Sequence, residues 1–223
     1  MSANTRRMIE HLGRIARETP WWPGETPFEI AVSAVLVQRT TWTQAKKATD
    51  NLKAANLLDS RLLAMANTND IEQTIACSGF YRQKAQTLHR LAKWWLVDGV
   101  ADFGSTQEAT ADKSEIRYAL LSIKGIGPET ADSILLYCFR QSVVIADAYL
   151  QRIDARLHRR SRPCAKPRLQ REYQRLLGED SNVCVAFHAG IVDVAQQYCK
   201  SKGPLCSSCI LADCCLSATV PKQ

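Results

Sequence analysis

Apolar residues recur at three- and four-residue intervals over most of the chain, the period of an α-helix rather than of a strand. Within residues 81–97, Leu88, Leu91, Ala92 and Trp95 mark one face at i, i+3, i+4 and i+7, with Gly79 and Gly99 beyond the two ends. Thr26 ahead of Pro27 has the order of a cap and a first helical residue, and an apolar segment through Phe28, Val32, Val35 and Leu36 follows. Asn69 with Glu72, and Asp112 with Glu115, stand at capping-box spacing. The β-branched run at 143–145 is too short to build a sheet. An all-α fold is expected, its rhythm broken at 124–128, at the Pro- and Arg-rich 161–168, and after Tyr198.

The break at 124–128 has a chemistry of its own. A helix over 112–121 is predicted to end in a turn where Gly125 and Gly127 flank Ile126. Pro128 then opens a second helix with Ala131, Ile134, Leu135 and Cys138 on its apolar face. Glycines tolerate positive φ and occupy no side-chain volume, so backbone N–H groups can approach a phosphate closely. The following helix adds the positive end of its dipole. Ile126 is expected to plug the turn into the core. Taken alone, the pattern also suits an ordinary corner between two helices.

Composition narrows the picture. The chain has 223 residues, 46% of them hydrophobic and 23% charged, enough for one large domain or two small ones with a proper core. No apolar run approaches the length of a membrane span, and the first ten residues are too polar for a secretory signal, so a cytoplasmic protein is expected. The net charge of +7 is unevenly distributed. Between Arg152 and Arg171 lie eight basic residues (Arg152, Arg156, Arg159, Arg160, Arg162, Lys166, Arg168, Arg171) and one acid, Asp154. Such a stretch suits a polyanion or a solvated basic face.

The cysteines carry a sharper signal. An odd total of nine, without a secretory signal, argues against a disulfide framework. Cys77, Cys138, Cys164 and Cys184 are scattered, and most read as small buried hydrophobes. Cys199, Cys206, Cys209 and Cys215 have six, two and five residues between them. Four thiolates with a tight C-x2-C pair can wrap a [4Fe–4S] cluster. Four cysteines suit a zinc ion as well. Cys214, beside Cys215, is a spare thiol or an alternative ligand.

Together the hairpin at Gly125, Ile126 and Gly127, Asp147 in VVIADAYLQRI, and the six–two–five cysteine spacing resemble the helix-hairpin-helix DNA glycosylase superfamily. The likeness is to its endonuclease III group in particular and spans about 21–215. It implies a two-lobed all-α fold. A helical barrel over 26–141 would contain the helix-hairpin-helix at about 112–139. Residues 1–25 with 142–223 would form the second lobe, with a cluster loop over 199–215 and Asp147 in the cleft where a flipped nucleotide enters. The resemblance further implies that Gly125, Ile126 and Gly127 anchor a DNA phosphate, that Asp147 is catalytic, and that Cys199, Cys206, Cys209 and Cys215 hold a structural [4Fe–4S] cluster. Lys200 and Lys202 would face phosphates, and Gln38 in LVQRTTW would wedge into the gap left by the flipped base. His188, on the long helix before the cluster, is expected to pack or hydrogen-bond rather than ligate. The implied partner is double-stranded DNA holding a damaged base, with no membrane involved and the protein a monomer associated with the nucleoid.

One departure from the family pattern changes the expected chemistry. Bifunctional members carry a lysine two residues after the second hairpin glycine, and this chain has Glu129 there. A carboxylate forms no imine, so a monofunctional glycosylase is expected, with strand cleavage absent or weak. Trp21, Trp22, Pro23 and Trp42 resemble the arrangement of the 3-methyladenine glycosylases within the superfamily, where aromatic faces stack on a cationic alkylated base. Trp94 and Trp95 read as core anchors, and the pocket tryptophans suit that role as well. Uracil, mismatched thymine or an oxidised base would be the substrate on a rival reading. The residues also suit a bifunctional endonuclease III with a displaced amine, or a non-catalytic damage-binding iron–sulfur protein. Asp147 argues against the last, since a binder needs no carboxylate beside the phosphate backbone.

Overall fold

The computed structural model describes residues 2–13, 22–97 and 112–218. Every regular element among them is helical. In chain order they are α1 (Ala3–Gly13), α2 (Pro27–Leu36), α3 (Trp42–Ala54), α4 (Ser60–Met65), α5 (Thr68–Thr74), α6 (Tyr81–Val97), α7 (Lys113–Ser122), α8 (Pro128–Tyr137), α9 (Ala148–Leu157), α10 (Lys166–Leu177) and α11 (Ser181–Gln197). Short 3-10 turns lie at Ala76–Ser78 and Cys206–Ser208. The all-α expectation holds, and Val143 to Ile145 form a buried connector without strand pairing. No described helix is long and apolar enough to cross a membrane.

The chain divides into two compact units, one running from Trp22 to Gln141 and the other combining the N-terminal residues with Ser142 onward. In the first unit α2 and α8 are buried on nearly every side, so both run through its core. The predicted face of α6 is buried as expected, and Gly99 lies outside the described residues. Trp95 stacks edge-on to Phe28 at 5.3 Å and against Phe139 at 5.6 Å. Thr26 caps α2 through the Glu29 N–H, and Asp112 caps α7 through the Ser114 N–H. One cap expectation is corrected. Asn67, not Asn69, caps α5, because its Oδ1 reaches the Asn69 N–H at 2.9 Å and so starts the helix two residues earlier.

In the second unit α1 packs on α11. A Cβ at Gly190 would approach Leu12 to 3.1 Å, so the glycine sets how closely these helices come. Buried Asp154 on α9 accepts from the Tyr173 hydroxyl at 3.0 Å and from Arg160 Nε at 3.1 Å. Burial next to that carboxylate pushes the Tyr173 phenol well above its ordinary value. The segment after α11 returns to α9, where the Leu216 and Ser217 amides donate to Leu157 O and Arg156 O.

Candidate active site

The hairpin joins α7 to α8, and its glycines have different reasons to be glycine. Gly125 has φ +106°, a conformation L side chains rarely adopt, and a Cβ there would lie 2.0 Å from Thr87 Oγ1. Gly127 has φ −95°, and a Cβ there would meet nothing within 4 Å. Its open side therefore leaves room for a group from outside the protein. Gly127 is the N-cap of α8 and offers no side chain to the first-turn amides, while Pro128 follows at N1. Ile126 is 5% exposed, the plug the sequence predicted.

Two contacts with no signature in the motif hold this turn. Thr87 Oγ1 donates to Lys124 O at 3.2 Å. Arg117 Nε on α7 donates to Asp132 Oδ1 on α8 at 2.7 Å, which fixes the two legs to each other. The Arg117 guanidinium is raised above its usual value by that bond. The signal that could have revealed it is an aspartate on the apolar face of α8, between Ala131 and Ile134, where only a partner makes burial tolerable.

Gln38 lies on the turn after α2 and leans on the hairpin. Its Nε2 donates to Gly125 O at 3.2 Å and to Thr130 Oγ1 at 2.9 Å. Glu129 is exposed in the first turn of α8. The pocket aromatics separate by burial. Trp22 is 5% exposed, and its Nε1 donates to Ser33 Oγ at 2.7 Å. Trp42, the first residue of α3, is 37% exposed and meets Trp22 edge-on at 5.6 Å. Tyr137 backs Trp22 at 5.0 Å. Pro23 is exposed, and Trp21 lies outside the described residues. Trp42 is thus the ring with a face to offer, and Trp22 is its support.

In the second unit Asp147 caps α9, with Oδ1 accepting the Leu150 N–H at 2.8 Å. The positive end of that helix favours negative charge on the carboxylate. Oδ2 lies 4.0 Å from Nε2 of His188 on α11. Burial drives the His188 pKa down to about 3, so the imidazole is neutral at ordinary pH.

The four spaced cysteines line one cavity, closed on its apolar side by Ile153, Leu157, Val194 and Leu211. Arg156 Nη1 donates to Cys199 Sγ at 3.2 Å and to Lys200 O at 2.7 Å, and Arg152 Nε donates to Cys199 O at 2.8 Å. The basic stretch is therefore not one uniform DNA-facing patch. Arg152 and Arg156 brace the cysteine loop, Arg160 serves Asp154, and Arg168 pairs with Glu172. Lys200 and Lys202 are exposed on the loop. Among the described residues, the ligand-type atoms that gather within 4.8 Å belong to His11, Asp213 and Cys214. Arg7 already pairs with Asp213 there, so this group ties α1 to the loop.

These features define a class. The model of the HhH-GPD superfamily base excision DNA repair proteins matches residues 32–179, and the chain belongs to that superfamily. It is a base excision repair protein of the DNA glycosylase type. Among particular proteins, it is 34% identical over 200 residues to a Methanocaldococcus jannaschii protein whose name describes a DNA repair glycosylase, covering 88% of this chain and 89% of that one. Its fold matches an endonuclease III–DNA complex with a TM-score of 0.78 at 21% identity, over 98% of this chain and 97% of that one. It also matches an H. pylori 3-methyladenine DNA glycosylase bound to 1,N6-ethenoadenine, with a TM-score of 0.70 at 26% identity, over 87% and 97% of the two chains.

Proposed function

We propose that this protein is a monofunctional DNA glycosylase that hydrolyses the N-glycosidic bond of a flipped, alkylated purine such as 3-methyladenine in double-stranded DNA. The observation that carries the proposal is exposed Glu129 in the first turn after the hairpin, where a nucleophilic amine would be needed for strand cleavage. A carboxylate there forms no Schiff base. Half-exposed Trp42, held edge-on by buried Trp22, supports the substrate class, because its face attracts a cationic base as it stacks. The H. pylori neighbour, named for 3-methyladenine, supports the same class.

The chemistry asks little of the base. An N-alkylated purine is already cationic and becomes neutral when it takes the bonding electrons, so no strong general acid is required. As the bond lengthens, positive charge develops on the sugar. Asp147, oriented by the Leu150 N–H, stabilises that charge and takes the proton of the attacking water. Gln38 fills the stack that the flipped nucleotide vacates. Gly125 and Gly127 present backbone donors to a phosphate, with the Ile126 amide spent on Ile123 O to hold the turn, and Lys200 and Lys202 add charge to the contact.

Cys199, Cys206, Cys209 and Cys215 would hold a [4Fe–4S] cluster. The Arg156 N–H on Cys199 Sγ and the apolar wall of the cavity that all four cysteines line support that fit. Bound there, the cluster supplies a rigid brace for the loop that carries Lys200 and Lys202.

A panel of duplexes, each with one lesion, tests the proposal. Alkylated purines should be released, with strands cut only after alkali or heat and no covalent complex trapped by borohydride. Asp147→Asn should lower release at least about hundredfold while lesion-DNA binding persists. Strand cutting with borohydride trapping would show that another amine acts. Release of uracil or an oxidised base without release of alkylated purines would overturn the substrate class.

A further inference from the structure

Lys84, on the inward face of α6, is only 3% exposed, and nothing in the proposed chemistry uses it. Its Nζ donates to Leu36 O and to Ser78 O, both at 2.7 Å. Leu36 ends α2, so the ammonium satisfies a terminal carbonyl at the negative end of that helix. The neighbouring terminal carbonyls, Ser33 O and Val35 O, take the Val37 and Gln38 amides. The turn carrying Gln38 is therefore held to α2 by its own backbone and to α6 by Lys84.

The second acceptor belongs to the Ala76–Ser78 turn, which leads into Phe80. Arg39 and Phe80 both adopt left-handed backbone, at φ +54° and +50°, and the Arg39 guanidinium lies 4.6 Å from the centre of the Phe80 ring. Such conformations persist in L-residues where the surroundings over-determine them. One amine thus joins the bases of two strained turns whose tips stack on each other. One helical turn further along α6, Thr87 supports the hairpin through Lys124 O, and Gln38 closes the circuit through Gly125 O and Thr130 Oγ1.

We propose that Lys84 is a positioning residue for the Gln38 wedge, setting where Gln38 stands relative to the phosphate-anchoring hairpin. This inference deepens the glycosylase reading and rests on it. An apolar residue would fill the same space without the cost of burying an ammonium. That cost shows in the amine, whose pKa burial lowers to about 8, with Cys77 the titratable neighbour favouring its charge. What the ammonium provides and a methyl group does not is two directed bonds to two separate segments.

A double-mutant cycle tests the inference, read as the preference of the full-length protein for a duplex with a tetrahydrofuran abasic analogue over an intact duplex. Gln38→Ala should lower that preference roughly tenfold, equivalent to about 1.4 kcal/mol. Lys84→Met should lower it by a similar factor, and the double variant should fall no further than either single one. A residue that merely holds the fold together would give losses that multiply. Multiplying losses, or a Lys84→Met protein with wild-type preference, would overturn the inference. If Lys84→Met does not fold, Lys84→Gln, whose two N–H donors sit on a stem one atom shorter, takes its place: a partial loss that disappears in the Gln38→Ala background supports the inference, and a loss that multiplies with Gln38→Ala overturns it. A wild-type protein with no preference for the abasic duplex would overturn the glycosylase reading and this inference with it.

Discussion

Replacing Gly125 by alanine combines two penalties that the structure separates. At φ +106° an L-residue is strained by about 1–3 kcal/mol. The new Cβ would also stand 2.0 Å from Thr87 Oγ1 and 2.9 Å from Thr87 Cγ2. Overpacking of that kind costs about 1–3 kcal/mol where the neighbour has nowhere to go, and Thr87 is tied to Lys124 O and Gln83 O. Gly125→Ala should therefore destabilise its unit by roughly 2–6 kcal/mol. Thr87→Ala alone should cost about 1 kcal/mol for its lost hydrogen bond. In the double variant the two clashing atoms are gone, the nearest remaining one is Thr87 Cβ at 3.0 Å, and only the φ strain stays. The pair should thus be at least about 1 kcal/mol more stable than the sum of the single changes. Urea unfolding followed by tryptophan fluorescence suits the measurement, since Trp22, Trp42, Trp94 and Trp95 all lie in this unit. A Gly125→Ala protein within about 0.5 kcal/mol of wild type, or strictly additive changes, would refute the account of the hairpin.

Trp42→Ala should weaken binding to alkylated-base duplexes by about 1–3 kcal/mol and to an abasic analogue by less, whereas Trp22→Ala should lower stability by about 3–5 kcal/mol. Calorimetry alongside anisotropy separates the two effects, and equal behaviour of both variants would dismiss the division of roles. His188 binds a proton near pH 6.5 when unfolded and near 3 when folded, so acid favours the unfolded chain. Its contribution is therefore intact above pH 6.5 and lost as the pH falls toward 3. His188→Gln should flatten the fall of stability with acid by up to about 1.4 kcal/mol per pH unit, measured by urea midpoints from about pH 4 to 8. Unchanged slopes would mean that the imidazole is not held neutral. Purified protein should absorb broadly in the visible and hold about four irons per chain. Cys206→Ser should lose iron and folded yield together, and one zinc per colourless chain would contradict the cluster.

Much of the helical framework is legible without coordinates, because its causes are local. Thr26 and Pro27 start α2, and Asp112 starts α7, through bonds to amides two or three residues away. The buried face of α6 follows from spacing alone. Ile126 is legible as a plug because it is the one apolar residue between two glycines. The start of α5 is not legible in the same way, because an asparagine stands at both 67 and 69, and only the backbone path shows which precedes the helix.

The fate of charged and aromatic side chains is not local. Eight basic residues in one stretch read alike along the chain, yet Arg152 and Arg156 reach residues more than forty positions away to brace the cysteine loop. Trp22 and Trp42 both read as stacking faces, and packing against Ser33 and Tyr137 buries the first while leaving the second open. Lys84 carries no signal, since a lysine in an amphipathic helix ordinarily points to solvent and its acceptors lie on two separate segments.

By itself the sequence determined the helices, the hairpin turn, the cysteine spacing and the superfamily. Each of these is set by chemistry within a few residues or by a motif of fixed spacing. Tertiary structure alone decided which glycine of the hairpin is conformationally required, which tryptophan is exposed, and which cations are committed inside the protein. Those outcomes depend on what distant segments bring to within hydrogen-bonding or van der Waals distance, and no periodicity along the chain encodes that.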